Sequence, residues 1–294
     1  MSSATWIVAV VQALLFGDAH APDCSSDADP VACLISARFA KDSKAQTLAT
    51  ELYTKTGDIA ALGVDEIMEG GFRGKIHLVP EPPIGKYRKH LEWVSAAAAA
   101  LDDFYAKQFD TAKPNYRWRE LAFRFVRSVG KHTPSAYALI GADAVWTIEY
   151  NVEGSLLTSA TGVRETIVHE LFHINDEAHK DWSQHTLATD FKAIVKKCGT
   201  ASSPKVNACL APYAPNDTKV RATGNYYAFQ PNNGNVVHEY AAELAVRYWK
   251  EQSEMLDNKK LSTKAFKCGP PENGRAWRAL VDEFFAGVDR VPAC

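Results

Sequence analysis

Val168-His169-Glu170-Leu171-Phe172-His173-Ile174 is the stretch on which the reading of this chain turns. In an α-helix, residues four apart stand about 6 Å along the axis on one side, so the imidazoles of His169 and His173 can converge on one metal ion. Glu170, one step round the helix, reaches a metal-bound water rather than the metal, which is the division of labour that zinc hydrolysis requires. The surrounding pattern is helical. Ile167, Leu171 and Ile174 form one apolar stripe and Val168 and Phe172 another, leaving His169, His173 and Asp176 together on a different face. The plain alternative is an amphipathic helix whose two histidines are satisfied by neighbours.

Asp176 follows His173 by three residues. An acceptor there either binds the outer ring nitrogen of a ligand or anchors the helix end. A third ligand is sought on a second helix, read from Val236 to about Met255, where Val237, Tyr240, Ala241, Leu244, Ala245 and Tyr248 recur at helical spacing. It carries Glu239 and Glu243. Like charges four apart repel, so an inward-facing pair flanked by Val236, Ala242 and Val246 makes sense beside a cation. The other reading pairs Glu243 with Arg247 at the favourable i,i+4 spacing and leaves Glu239 in water.

His169-Glu170-x-x-His173-x-x-Asp176 followed by Glu239-x-x-x-Glu243 resembles the gluzincin metallopeptidases, most closely the anthrax lethal factor type of catalytic domain. These two segments carry the likeness. The resemblance implies an α+β, zincin-like metalloprotease domain, mostly helical with a small mixed sheet. It implies His169, His173 and Glu239 as ligands of Zn2+, Glu170 as the general base, and Glu243 behind the ligands together with Asp176. It also implies an endopeptidase that cleaves peptide or protein substrates with a zinc-bound water activated by Glu170. In that family a tyrosine about two helical turns before the third ligand steadies the oxyanion. Here that position falls in Asn232-Asn233-Gly234-Asn235 and holds no tyrosine; Tyr226 and Tyr227 lie further upstream, and Tyr227 is taken as the candidate, although both also suit a core.

Two rivals for the third ligand are on the chain. His179 completes the His-x-x-x-His-x-x-x-x-x-His spacing of metzincins, but Asp176 stands where their pattern has the glycine that lets the helix turn back. Metzincins also need a methionine turn, and of the methionines Met1, Met68 and Met255, the last reads as the end of a long helix. His238, beside Glu239, is the other rival. Two other classes of function fit the same motifs: a catalytically silent zincin-fold binding or inhibitory module, and a zinc hydrolase acting on a non-peptide amide.

A chain of 294 residues with 46% hydrophobic content buries a substantial core, and a formal charge of -2 gives no electrostatic case for nucleic acid. The apolar run from Trp6 to Phe16, followed by small residues at Ala19 and Ala21, reads as a secretory signal over residues 1–21. It lacks a preceding Lys or Arg, and Pro22 makes a cut after Ala19 easier than one after Ala21. No stretch is long enough to span a membrane. The cysteines form three near pairs, Cys24 with Cys33, Cys198 with Cys209 and Cys268 with Cys294, as disulfides of a secreted or periplasmic protein would. Six cysteines allow 15 connectivities, so this pairing rests on spacing, and a reduced set fits the same count. Oligomeric state is not legible.

In order, the chain reads as a helical N-terminal segment over 22–70, its helical part from Pro30 to about Lys55 and a break at Gly70-Gly71, then a catalytic domain over 71–294. The latter starts with a strand from Lys75 to Val79, a helix from Tyr87 to Phe109, and strands at Trp118–Val126, Ala136–Ile140 and Ala144–Val152. The HExxH helix, a helix near Thr186–Lys197, the Glu239 helix and a closing helix near Gly274–Ala286 follow. In the resembled family the last strand before the zinc helix borders the cleft, which makes Ala144–Val152 the expected free edge for an extended peptide.

Overall fold

The computed structural model describes residues 7–17, 19–69, 74–130, 135–141, 144–220, 223–230 and 236–294. These residues form a mixed α+β structure with two compact units. One takes in 1–103 and 118–171, the other 104–117 and 172–294.

The first unit opens with helix α1 (Val8–Phe16), whose Val11, Leu14 and Leu15 are buried as it packs on α2 (Pro30–Arg38) and strand β1 (Ile59–Leu62). The helical part expected from Pro30 to about Lys55 consists of two helices. Asp42 interrupts it by capping α3 (Ser43–Thr56), its carboxylate accepting from the Ala45 amide and pairing with Arg88 at 2.9 Å. The unit then builds a sheet from β1, β2 (Glu66–Glu69), β3 (Lys75–Pro80), β4 (Ala122–Val129), β5 (Ala136–Ile140) and β6 (Trp146–Asn151). The order is β2-β3-β4-β6-β5, with β1 also running parallel to β4. β1 and β2 are short and were not read from the sequence. β4 begins at Ala122, since Trp118 and Arg119 instead turn their side chains onto Asp102.

The expectation that Ala144–Val152 is a free edge is overturned. β6 is an inner strand, parallel to β4 on one side and antiparallel to β5 on the other. β5 stands at that end of the sheet. Both faces of β6 are covered as well: Ile148 and Tyr150 on one and Thr147, Glu149 and Asn151 on the other are all buried. Helix α4 (Arg88–Phe109) meets β6 through His90, whose Nδ1 lies 2.9 Å from the Tyr150 hydroxyl.

Helix α5 (Ala160–Ala178) carries the HExxH run and is continuous, its first part counted with the first unit and its last turns with the second. Ser159 caps its start by accepting from the Gly162 amide at 3.1 Å. Gly162 is required there, because a Cβ would stand 2.4 Å from the Leu156 carbonyl oxygen.

The second unit contains α6 (Trp182–Thr186), α7 (Ala188–Cys198), α8 (Pro204–Leu210), α9 (Val236–Asn258) and α10 (Pro271–Phe284). Its core is aromatic. Phe172 of α5, Trp182 of α6 and Tyr116 all set their rings edge-on around Phe284 of α10, with centroids 5.0–6.2 Å away. Disulfides join Cys24 to Cys33, Cys198 to Cys209 and Cys268 to Cys294, the three local pairs. Among the described residues no helix is long and apolar enough to cross a membrane.

Candidate metal centre

α5 forms because its apolar positions recur at helical spacing, and the stripe goes inward as that spacing requires: Ile167, Val168, Leu171, Phe172 and Ile174 are all at most 2% exposed. What remains is the face with His169, Glu170 and His173. His169 and Glu170 are buried, and His173 is half-buried. Asn175, one turn on, clamps the segment before it in space, its side-chain oxygen accepting from the Arg117 amide at 2.8 Å and its amide donating to the Arg117 carbonyl at 3.0 Å.

α9 presents Glu239 to this face. The Nε2 of His173 stands 3.7 Å from a Glu239 carboxylate oxygen. His169, His173 and Glu239 each offer a donor atom, and the three atoms lie within 4.8 Å of one another. Donors about 2.1 Å from a tetrahedral ion are ~3.4 Å apart, so small side-chain rotations bring the set to bonding distance. Two imidazoles and one carboxylate match the donor chemistry of a hydrolytic zinc site, which leaves a fourth position open. Cys24, Asp27 and Cys33 also cluster, but both sulfurs are spent on their disulfide.

Neither rival third ligand joins the cluster. His179 Nδ1 lies 2.7 Å from a carboxylate oxygen of Glu283, and its ring lies against Phe284 with centroids 4.6 Å apart. Helix α5 also continues through Asp176 to Ala178, where the metzincin pattern needs a turn. His238 faces Asp176, its Nε2 3.8 Å from Oδ2.

Asp176 is fully enclosed. Its two oxygens accept from the Ser183 amide at 2.8 Å and the Ser183 hydroxyl at 2.6 Å, so it ties the end of α5 to α6, and α6 packs on α9. Glu243 is buried one turn beyond Glu239. The Asn216 amide donates to its carbonyl at 2.7 Å and to its carboxylate at 3.0 Å, while Arg247, the partner weighed for it, pairs with Glu251 at 2.7 Å. Tyr227 is half-buried and begins a 3₁₀ turn, Tyr227–Phe229, that packs on α9; its amide donates to the Thr218 carbonyl at 2.8 Å. Tyr226 is buried, with Lys219 over its ring. Asn232–Asn235, where the resembled family has its tyrosine, lies outside the described residues.

Sequence reasoning missed Asn216, Ser183 and Glu283. Each acts through a partner between 7 and 104 positions away, and no local pattern marks such a pair. Perturbed acids elsewhere in the first unit are structural. Burial pushes the Asp58 carboxyl up to about 7, yet it is held by the Leu121 amide at 2.9 Å and the Thr56 hydroxyl at 2.7 Å. Glu149 is likewise pushed up to about 7 by burial, opposed by Arg124 at 3.2 Å.

Compared with known proteins, the chain matches no family, no curated protein and no solved structure.

Proposed function

We propose that this chain is an exported, zinc-dependent endopeptidase of the gluzincin type, with His169, His173 and Glu239 as the metal ligands and Glu170 as the general base. The observation that carries this reading is the convergence of two imidazoles from α5 and one carboxylate from α9 within 4.8 Å. Zinc held by such a set would supply Lewis acidity and lower the pKa of a water to about 7. The residues do the rest. His169 and His173 hold their positions because the stripe beside them is buried, and Glu239 is fixed by the long helix that bears it.

Glu170 adjoins the first ligand on the helix and is buried beside it; zinc held there would supply an activated water for it to deprotonate. It would take the proton of that water as it attacks the substrate carbonyl and return it to the leaving amine. Tyr227, on a turn packed against α9, is the candidate donor to the developing oxyanion. The free strand edge through which an extended peptide would dock is, in this reading, that of β5 rather than β6. Three disulfides support an oxidising, exported setting.

Glu170→Gln tests the assignment. The variant is expected to bind zinc as the parent does while peptide cleavage falls by at least about 10²–10⁴-fold. Undiminished cleavage of a peptide library by that variant rejects Glu170 as the base, and a parent chain that binds zinc yet cleaves no peptide rejects the peptidase reading.

A further inference from the structure

We infer that Asp176 and His238 form a positioning pair that holds α9 in the register at which Glu239 meets His173, so that His238 serves the metal centre without being one of its ligands. The inference rests on the metal-centre reading above.

Two imidazole–carboxylate contacts bridge α5 and α9, and they run in opposite directions. His173 of α5 faces Glu239 of α9 at 3.7 Å, and His238 of α9 faces Asp176 of α5 at 3.8 Å. The four residues are close neighbours along their helices: Asp176 is three after His173, which puts it on the adjoining part of the same face, and His238 immediately precedes Glu239. Successive side chains on a helix diverge by about 100°, so when Glu239 aims at the imidazole pair, His238 is turned aside from it and meets the flank of α5.

Asp176 is a fixed post for that contact. Its side chain is 2% exposed, and both oxygens are held by Ser183, at 2.8 and 2.6 Å. A ring nitrogen of His238 faces this buried carboxyl group across 3.8 Å. At 3.8 Å the pair is an electrostatic contact rather than a hydrogen bond, which suits a residue that sets the spacing of two helices. On the other side of Glu239, Asn216 holds Glu243 by its carbonyl and carboxylate. The third ligand is thus bracketed, by His238 one residue before it and Glu243 one turn after it. Groups that orient the primary ligands without touching the metal typically govern 10–100-fold in affinity.

The test is Zn2+ affinity by chelator competition on the full chain, together with the absorption spectrum of the Co2+-substituted protein, which reports the ligand set. His238→Ala is expected to bind Zn2+ roughly 10–100-fold more weakly with an unchanged Co2+ spectrum. His238→Gln, which keeps a donor facing Asp176, is expected to recover most of that loss. A purely structural role would lower thermal stability equally in both variants and leave the affinity unmoved.

Parental affinity in His238→Ala overturns the pairing, and loss of metal as complete as in His169→Ala, with an altered Co2+ spectrum, makes His238 a ligand instead. His238 is a quarter exposed, so its variants are expected to fold even where Asp176→Asn does not. Failure of the underlying reading has a separate signature: the parent chain itself then takes up no Zn2+ or Co2+.

Discussion

The Nδ1 of His179 lies 2.7 Å from Oε1 of Glu283, across 104 positions of sequence. That contact separates the two ligand sets the motif allows. With His179 turned to α10 and its ring tilted against Phe284, the donor atom that groups with those of His169 and His173 is a carboxylate oxygen of Glu239.

Metal content should follow this division. Glu239→Ala is expected to strip the protein of zinc, Glu243→Ala to weaken binding without abolishing it, and His179→Ala to leave the stoichiometry at one. Elemental analysis after dialysis reads all three. Equal zinc in the parent and the Glu239 variant would reject the gluzincin set, and loss of zinc in the His179 variant would restore the metzincin one.

Phe284 is the hub of the second unit, fully buried against Phe172, Trp182 and Tyr116. Phe284→Ala should cost about 3–5 kcal/mol of stability through lost burial and the cavity left behind. Phe172 immediately precedes His173, so the loosened core should also weaken zinc binding. A denaturant midpoint within error of the parent would show that the ring cluster contributes little.

His90 gives a pH dependence with a definite sign. Burial, and secondarily the charge of Lys89, brings its imidazole from the ordinary 6.5 down to about 4. The unfolded chain therefore takes up a proton below about pH 6.5 that the folded chain refuses until about 4. The stability this residue contributes is present above 6.5 and is lost as the pH falls through 4, by roughly 3 kcal/mol. In His90→Gln that component should vanish, so the slope of melting temperature against pH between 6.5 and 4 becomes shallower. The same slope in both proteins would mean that the ring is protonated in the folded state.

Much of the frame was legible because its elements are long and strongly periodic. α4, α5 and α9 each repeat apolar residues over several turns, and β3 and β5 lie within a residue of where alternation places them. β1 and β2 were not legible: four residues each, Ile59–Leu62 and Glu66–Glu69 are too short for alternation to rise above chance, and the partner of β1 is the distant β4. The edge assignment for β6 failed for a related reason. Its residues alternate as those of a half-exposed strand would, and only the pairing of Ala136–Ile140 along it closes the second side. At the candidate site the His169–His173 spacing is local and could be read, as could the helical stripe that carries Glu239. The partners of Asp176, His179 and Glu243 could not, because each belongs to a different element brought in by tertiary packing.

The side-chain amide of Asn216 is wedged against Glu243. Asn216-Asp217-Thr218 is an acceptor tripeptide for N-linked sugar, and a eukaryotic secretory pathway offers oligosaccharide to such tripeptides as the chain emerges. A glycan joined to that nitrogen would occupy the hydrogen-bonding position now used by α9, and it would have to leave through a residue only 8% exposed. Glycosylated chains should therefore fail to seat α9 and be retained or degraded, so that folded material from such a host carries the bare asparagine mass at this position. A bacterial periplasm forms disulfides without that modification, so material exported there should also carry the bare asparagine.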